Sequence, residues 1–155
     1  MGWYPNMLLC NQEKTVSHLC FQCSIAKAVW AIVAKCIGAN NVPKSFGQCW
    51  LWCEKWLPYG KQFHTVGIAA IRWAIWKTRN KACFDGKMLK NPASIICCVC
   101  ALMGYWAGLF PEMDKEALKA GVNTMLQIAA KLLGKKMHND GRLLLEDKPD
   151  DNAQE

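Results

Sequence analysis

Acidic side chains are scarce over most of this 155-residue chain. Residues 1–110 contain only Glu13, Glu54 and Asp85, against twelve lysines and arginines. Acid–base and nucleophilic catalysis need a base placed beside a reacting group. The sequence contains no close pair of carboxylates in this region, no phosphate-cradling glycine loop and no G-x-S-x-G motif. The composition therefore predicts a protein without enzymatic activity.

The charge is unevenly distributed along the chain. Twelve basic and three acidic residues give residues 1–110 a formal net charge of +9, whereas seven basic and nine acidic residues give residues 111–155 a net charge of −2. A basic body favours an anionic partner such as nucleic acid, although the same charge also serves solubility alone. Nucleic-acid binding is therefore one open interpretation.

The N-terminus shows no signal for export or lipidation. It has neither a basic start nor an apolar signal core, and Asn6 stands where N-myristoylation needs Ser or Thr. The ten cysteines then predict a reduced, intracellular protein, cytoplasmic or nuclear, rather than a disulfide framework. Cysteines in an apolar helical run pack as small hydrophobic residues, as we expect for Cys97, Cys98 and Cys100.

Helical periodicity accounts for most of the chain. No alternating strand pattern persists, and the start and stop signals are those of helices. The sequence predicts an all-α fold, a compact bundle of about five helices in one domain, residues 1–134. Residues 1–23 form a short, irregular, knuckle-like segment, and residues 135–155 a charged, largely disordered tail. The predicted helices run from Ser24 to Gly38, over 46–57, over about 62–84, from Asn91 to about Phe110, and over about 112–134.

The fourth helix has a second interpretation. Residues 93–110 are 18 residues without a charge, which is close to the lower limit for a membrane-spanning helix. The central helix of an all-helical domain can be equally apolar. We expect a buried core helix, and membrane association remains an alternative.

Three candidate metal ligands lie near the N-terminus. Cys10, His18 and Cys23 have the spacing C-x7-H-x4-C, which is three quarters of a zinc knuckle. Structural zinc normally takes four cysteine or histidine ligands, and Met7 stands where the fourth would be. Cys20 is a further candidate, but in an extended stretch it would point away from Cys23. We expect packed cysteines without a cofactor, and bound zinc remains an alternative.

A second motif reads Trp73-Ala74-Ile75-Trp76-Lys77-Thr78-Arg79-Asn80 and is followed by Phe84 and Gly86. Together with His18-Leu19, Cys23 and Val29-Trp30, it resembles the zinc-binding domain that follows the reverse transcriptase in plant non-LTR retrotransposons. The resemblance covers about residues 7–87. It implies residual nucleic-acid binding, and because the polymerase is absent it predicts a truncated fragment that became an independent protein.

Helical geometry predicts the faces of the third helix. At about 100° per residue, Arg72 and Arg79 lie on its apolar stripe beside Ile75 and Trp76. Lys77 and Lys81 lie on the opposite side, where they could contact phosphate non-specifically. We expect structural roles for the remaining motif residues, namely Trp30, Trp73, Trp76, Arg79 and Asn80.

The tryptophans of the second helix cover more than one of its faces. Trp50, Trp52 and Trp56 therefore either enter the core or form an exposed interface. Our first hypothesis is a non-enzymatic protein-interaction module that binds a protein partner, or itself, through a Trp/Cys-rich apolar surface containing these three residues. Regulatory, defence-linked and toxic roles are open to such a fragment by analogy.

Overall fold

Five α-helices surround one apolar core in the computed structural model, which describes residues 15–86 and 91–134. They are α1 (Ser24–Ile37), α2 (Phe46–Trp56), α3 (Lys61–Asp85), α4 (Ala93–Trp106) and α5 (Glu112–Leu133). A π-helical turn, His18–Gln22, precedes α1, and a 3₁₀ turn, Ala107–Leu109, follows α4. No β-strand occurs in this part of the chain, so the all-α prediction is confirmed.

Two sets of sequence-based predictions lie outside the described residues. These are the ligand role of Cys10, with the substitution at Met7, and the charged tail over 135–155.

The helix boundaries follow local signals and lie close to the predicted ones. Ser45 caps α2, because its hydroxyl accepts a hydrogen bond from the amide of Gln48 at 3.3 Å. At their C-terminal ends, α1, α3 and α5 each stop at a glycine in the left-handed region, where a side chain would be strained. These glycines are Gly38, Gly86 and Gly134, with φ of 74°, 61° and 68°.

Helix α4 is the interior element of the bundle. It packs against α3, α5 and α1, and Ile95, Ile96 and Val99 are at most 1% exposed. Each such side chain contributes roughly 1.5–3 kcal/mol of hydrophobic stabilisation. This position accounts for the charge-free run at 93–110. Among the helices of the described residues, none combines the length and apolarity needed to cross a bilayer.

The segment before α1 is helical, and the prediction of an irregular stretch was wrong there. The amide of Cys23 donates to the carbonyl of His18 at 2.9 Å, which is an i→i+5 bond of the π type. The amide of His18 donates to the hydroxyl of Thr15 at 3.1 Å and so begins the turn. Cys20 therefore lies in a wide turn and not in an extended strand.

Trp30 joins this turn to the core. Its side chain is 1% exposed, and its ring stacks on Phe21 with centroids 5.5 Å apart. On its other side it meets Trp52 edge to face at 5.9 Å. The indole N–H donates to the carbonyl of Cys20 at 2.9 Å, which satisfies both buried polar groups.

Candidate interaction surface

The buried stripe of α3 differs from the predicted one by about one residue position, or about 100° of rotation. It passes through Ala70, Ile71, Ala74 and Ile75. The small alanines let the backbone of α3 approach its main neighbour, α4. Packing against α4 thus selects a face that the larger residues of the motif do not occupy.

Trp73 and Trp76 consequently lie on the far side of α3 from that stripe. They are 49% and 52% exposed, and their ring centroids are 5.0 Å apart with the planes inclined at 30°. The predicted place of Trp76 on the apolar stripe was wrong, because the rotation of the stripe turns both rings outwards. They form a half-exposed aromatic pair.

This pair lines a groove of about 550 Å³ between α3 and the π-helical turn. The other lining residues come from both elements, and no acidic residue is among them. They are Val16, Leu19, Cys20, Ala69, Arg72, Ile75, Arg79 and Asn80. The groove thus brings together the two sequence motifs, because Leu19 belongs to the first and Asn80 to the second.

Two arginines give the groove its charge. Arg72 is exposed, and its guanidinium carbon lies 4.5 Å from the ring centroid of Phe46, in a cation–π contact. Arg79 is half-buried in the groove wall. Neither arginine is part of the buried stripe of α3, so the prediction that both lie on the apolar stripe was wrong. Within residues 15–86 and 91–134 the ion pairs are both internal to α5, so neither arginine pairs with a carboxylate there. We call Phe46, Arg72, Trp73, Trp76 and Arg79 the aromatic–basic surface.

The predicted phosphate contacts lie elsewhere. Lys77 and Lys81 are both exposed, but neither lines the groove. Phe46 is not among the residues that the sequence singles out. The hydrophobic periodicity of α3 alone could not predict which residues form this surface. That depends on which face of α3 is covered by α4 and on where the π-helical turn lies.

The tryptophans of α2 divide between core and surface. Trp52 is 6% exposed, and its indole N–H donates to the carbonyl oxygen of Asn41 at 3.0 Å. Of the two predicted alternatives, the core position is confirmed for Trp52 and partner contact is not, because its ring and its donor are already satisfied inside the fold. Trp56 is half-buried and donates to Oδ1 of Asn41 at 3.2 Å. Trp50 is 45% exposed and meets the ring of His64 edge to face, so it remains accessible.

Three of the four candidate zinc ligands lie within the described residues, and all three are buried. His18, Cys20 and Cys23 are 6%, 9% and 2% exposed. Among the residues that the structure describes, no three histidine, cysteine or acidic side chains are grouped to hold a metal ion.

The sulfur of Cys23 has a different role. It caps α1 by accepting from the amide of Ala26 at 3.4 Å, and its thiol donates to the carbonyl of Leu19 at 3.4 Å. The N-cap of α1 is therefore Cys23, and the helix begins at Ser24.

Several thiols are tuned by their surroundings. The Cys49 thiol donates to the sulfur of Cys53 one turn later in α2, which lowers the pKa of Cys53 and raises that of Cys49. Burial, with the nearby thiols of Cys97 and Cys36, raises the pKa of Cys100 to about 12. Cys49, Cys53 and Cys100 are all buried, which is typical of packing cysteines rather than reactive ones.

Comparison with known proteins provides no relative for this chain. The resemblance to a retrotransposon zinc-binding domain therefore depends on the two motifs quoted above. No family model, no curated protein and no solved structure matches the chain.

Proposed function

We propose that this chain is a non-enzymatic protein-interaction module that binds through its aromatic–basic surface. The partner is another protein, or a second copy of this chain, that presents an apolar anchor flanked by acidic side chains. One observation supports this above all. Two half-exposed tryptophans lie beside two arginines that have no carboxylate partner within the described residues.

The residue types on this surface are those that dominate protein interfaces. Tryptophan and arginine are enriched among the side chains whose truncation costs about 2 kcal/mol or more of binding free energy. Trp73 and Trp76 each retain about half of their surface for burial by a partner. The guanidinium groups of Arg72 and Arg79, which have no carboxylate partner in the described part of the chain, favour acidic neighbours and speed the encounter with them.

We also propose that the module descends from the zinc-binding domain of a plant retrotransposon. The contact between the two motif segments at the groove supports this, because residues of a shared ancestral unit are expected to pack together. On this proposal the ancestral fold was kept, while the zinc site gave way to packed cysteines. Regulatory, defence-linked and toxic roles are all compatible with such a module.

The second candidate function is binding of single-stranded nucleic acid. Aromatic rings on which bases stack, beside cationic side chains, are typical of such sites. Trp73 and Trp76 with Arg72 and Arg79 supply both, and the exposed Lys77 and Lys81 on the same helix add positive charge.

The first experiment is affinity isolation from the source tissue with the full-length chain as bait. The test variant combines Trp73→Ala with Trp76→Ala. The control is Tyr105→Ala, because Tyr105 is 82% exposed on α4 and lies outside the surface. We expect a set of proteins that the wild type and the control retain and the double variant loses. Recovery of the same proteins by all three baits would show the proposal to be wrong.

A salt series separates the two candidates. Fluorescence anisotropy of a labelled single-stranded RNA would detect binding at low salt that falls steeply as salt rises. Such binding, lost in the double tryptophan variant, would favour the second candidate. We expect no binding to this RNA even at low salt.

A further inference from the structure

A separate cleft of about 340 Å³ opens between the helices. Each of the five helices contributes an apolar wall residue: Trp30, Trp52, Phe63, Met103 and Leu118. No lysine, arginine, aspartate or glutamate lines it. A charged molecule would lose its hydration there without gaining a partner, so the lining favours an uncharged one.

The one histidine of the lining adds no polar recognition. Nε2 of His64 donates to the carbonyl of Leu57 at 2.9 Å. Nδ1 has no partner among the described residues, but it is buried from solvent. The cleft therefore offers a bound molecule mainly apolar contact.

Two glycines inside helices lie in the lining of the cleft. Gly67 of α3 and Gly121 of α5 both line it, and glycine within a helix destabilises the helix relative to alanine. The fold does not require either glycine. A Cβ added at Gly121 would meet no atom within 4 Å, and one at Gly67 would contact only Cε of Met103 at 4.0 Å. A side chain can therefore be accommodated at either position in the lining of the cleft.

The size of the cleft suits a small molecule, since about 340 Å³ is available. Small-molecule pockets begin at roughly 300 Å³, so the cleft lies at the lower end of their range.

We propose that this cleft binds a small, uncharged, apolar molecule that contains a ring. The ring would lie against Trp30, Trp52 and Phe63, since aromatic side chains favour offset or edge-on contact with another ring. This binding goes beyond the proposed interaction function and uses none of the aromatic–basic surface.

A matched pair of fluorescent probes tests the chemistry. N-phenyl-1-naphthylamine is uncharged, and 8-anilinonaphthalene-1-sulfonate carries the same rings with a sulfonate. Both emit more strongly in apolar surroundings. We expect the full-length chain to bind the uncharged probe at one site per chain, and the sulfonate at least about tenfold more weakly. Absence of binding, or equal affinity for both probes, would overturn the proposal.

Glycine variants test the position of the site. Gly121→Leu places a side chain at the cleft, and Gly67→Ala is a second, smaller filling. Gly104→Leu is the control, because Gly104 is also inside a helix with nothing within 4 Å but does not line the cleft. Displacing several ligand carbons should weaken binding of the uncharged probe about tenfold or more in Gly121→Leu. The control should change it less than about twofold. Equal effects of the two leucines would overturn the site.

Methionine methyl NMR gives a readout that does not depend on mutation. The uncharged probe should shift the methyl resonances of Met103 and Met125, which line the cleft, and leave that of Met113, which is 88% exposed. Unmoved Met103 and Met125 signals would overturn the proposal. A second outcome would also overturn it: a wild-type chain that binds no probe but self-associates, with the self-association abolished in Gly121→Leu. The cleft would then bind a second copy of the chain.

Discussion

The indole N–H of Trp30 donates to the backbone carbonyl of Cys20 across 2.9 Å, in a fully buried contact. This bond fastens the π-helical turn to α1. It also fixes one wall of the groove, because Cys20 lies in that wall. The geometry of the aromatic–basic surface thus depends on a tryptophan that is not part of it.

Replacement of Trp30 by Phe should therefore destabilise the fold. The variant leaves the Cys20 carbonyl unpaired and the ring volume incompletely filled, so we expect the free energy of unfolding to fall by about 2–4 kcal/mol. Urea unfolding followed by circular dichroism measures it. Trp56→Phe is the control, because its N–H bond to Asn41 is exposed, and it should cost less than about 1 kcal/mol. Equal losses would contradict this account of the turn.

Substitutions of Cys23 separate a helix cap from a zinc ligand. Serine is a good N-cap and alanine is not, so Cys23→Ser should stay within about 0.5 kcal/mol of the wild type while Cys23→Ala loses about 1 kcal/mol. We expect no stoichiometric zinc in metal analysis of the full-length chain purified without added metal. One zinc per chain, lost in Cys23→Ser, would show that the ligand interpretation is right.

The buried thiol of Cys100 makes stability depend on alkaline pH. Its pKa is raised from 9.0 to about 12 by burial, so the unfolded chain releases this proton at lower pH than the folded one. The contribution of the protonated Cys100 thiol to the free energy of unfolding is fully present below pH 9. It is lost as pH rises from 9 to 12, at about 1.4 kcal/mol per pH unit. Unfolding measured across this range should show a shallower decline in Cys100→Ala. Cys83→Ala is the control, since Cys83 is exposed, and its curve should match the wild type; a Cys100→Ala curve with the wild-type slope would refute the effect.

Much of the fold followed from the sequence because helix signals are local. Each signal acts only on residues close to it in sequence: the cap at Ser45, the stop glycines and the apolar runs. The five helices lie where these signals predict them. The π-helical turn was missed because its i→i+5 bond at His18 leaves no periodic pattern. It is stabilised by a partner ten residues away, Trp30.

The candidate site was only partly predictable. The sequence singled out Trp73, Trp76 and Arg79, but as structural residues, with Trp76 and Arg79 on the apolar stripe. Their exposure depends on which face of α3 meets α4. The buried face contains the small residues Ala70 and Ala74, and the larger tryptophans lie outside it. The contact of Arg72 with Phe46 joins residues 26 positions apart, and no periodicity within one helix predicts it.

The dissociation constant of the full-length chain for a partner recovered by affinity isolation tests the central claim most directly. Calorimetric titration would compare the wild type with Trp76→Ala and with the control Tyr105→Ala. We predict that Trp76→Ala raises the constant roughly 30-fold, which corresponds to about 2 kcal/mol, and that the control changes it less than about twofold. An unchanged constant for Trp76→Ala would contradict the claim that the aromatic–basic surface carries the interaction.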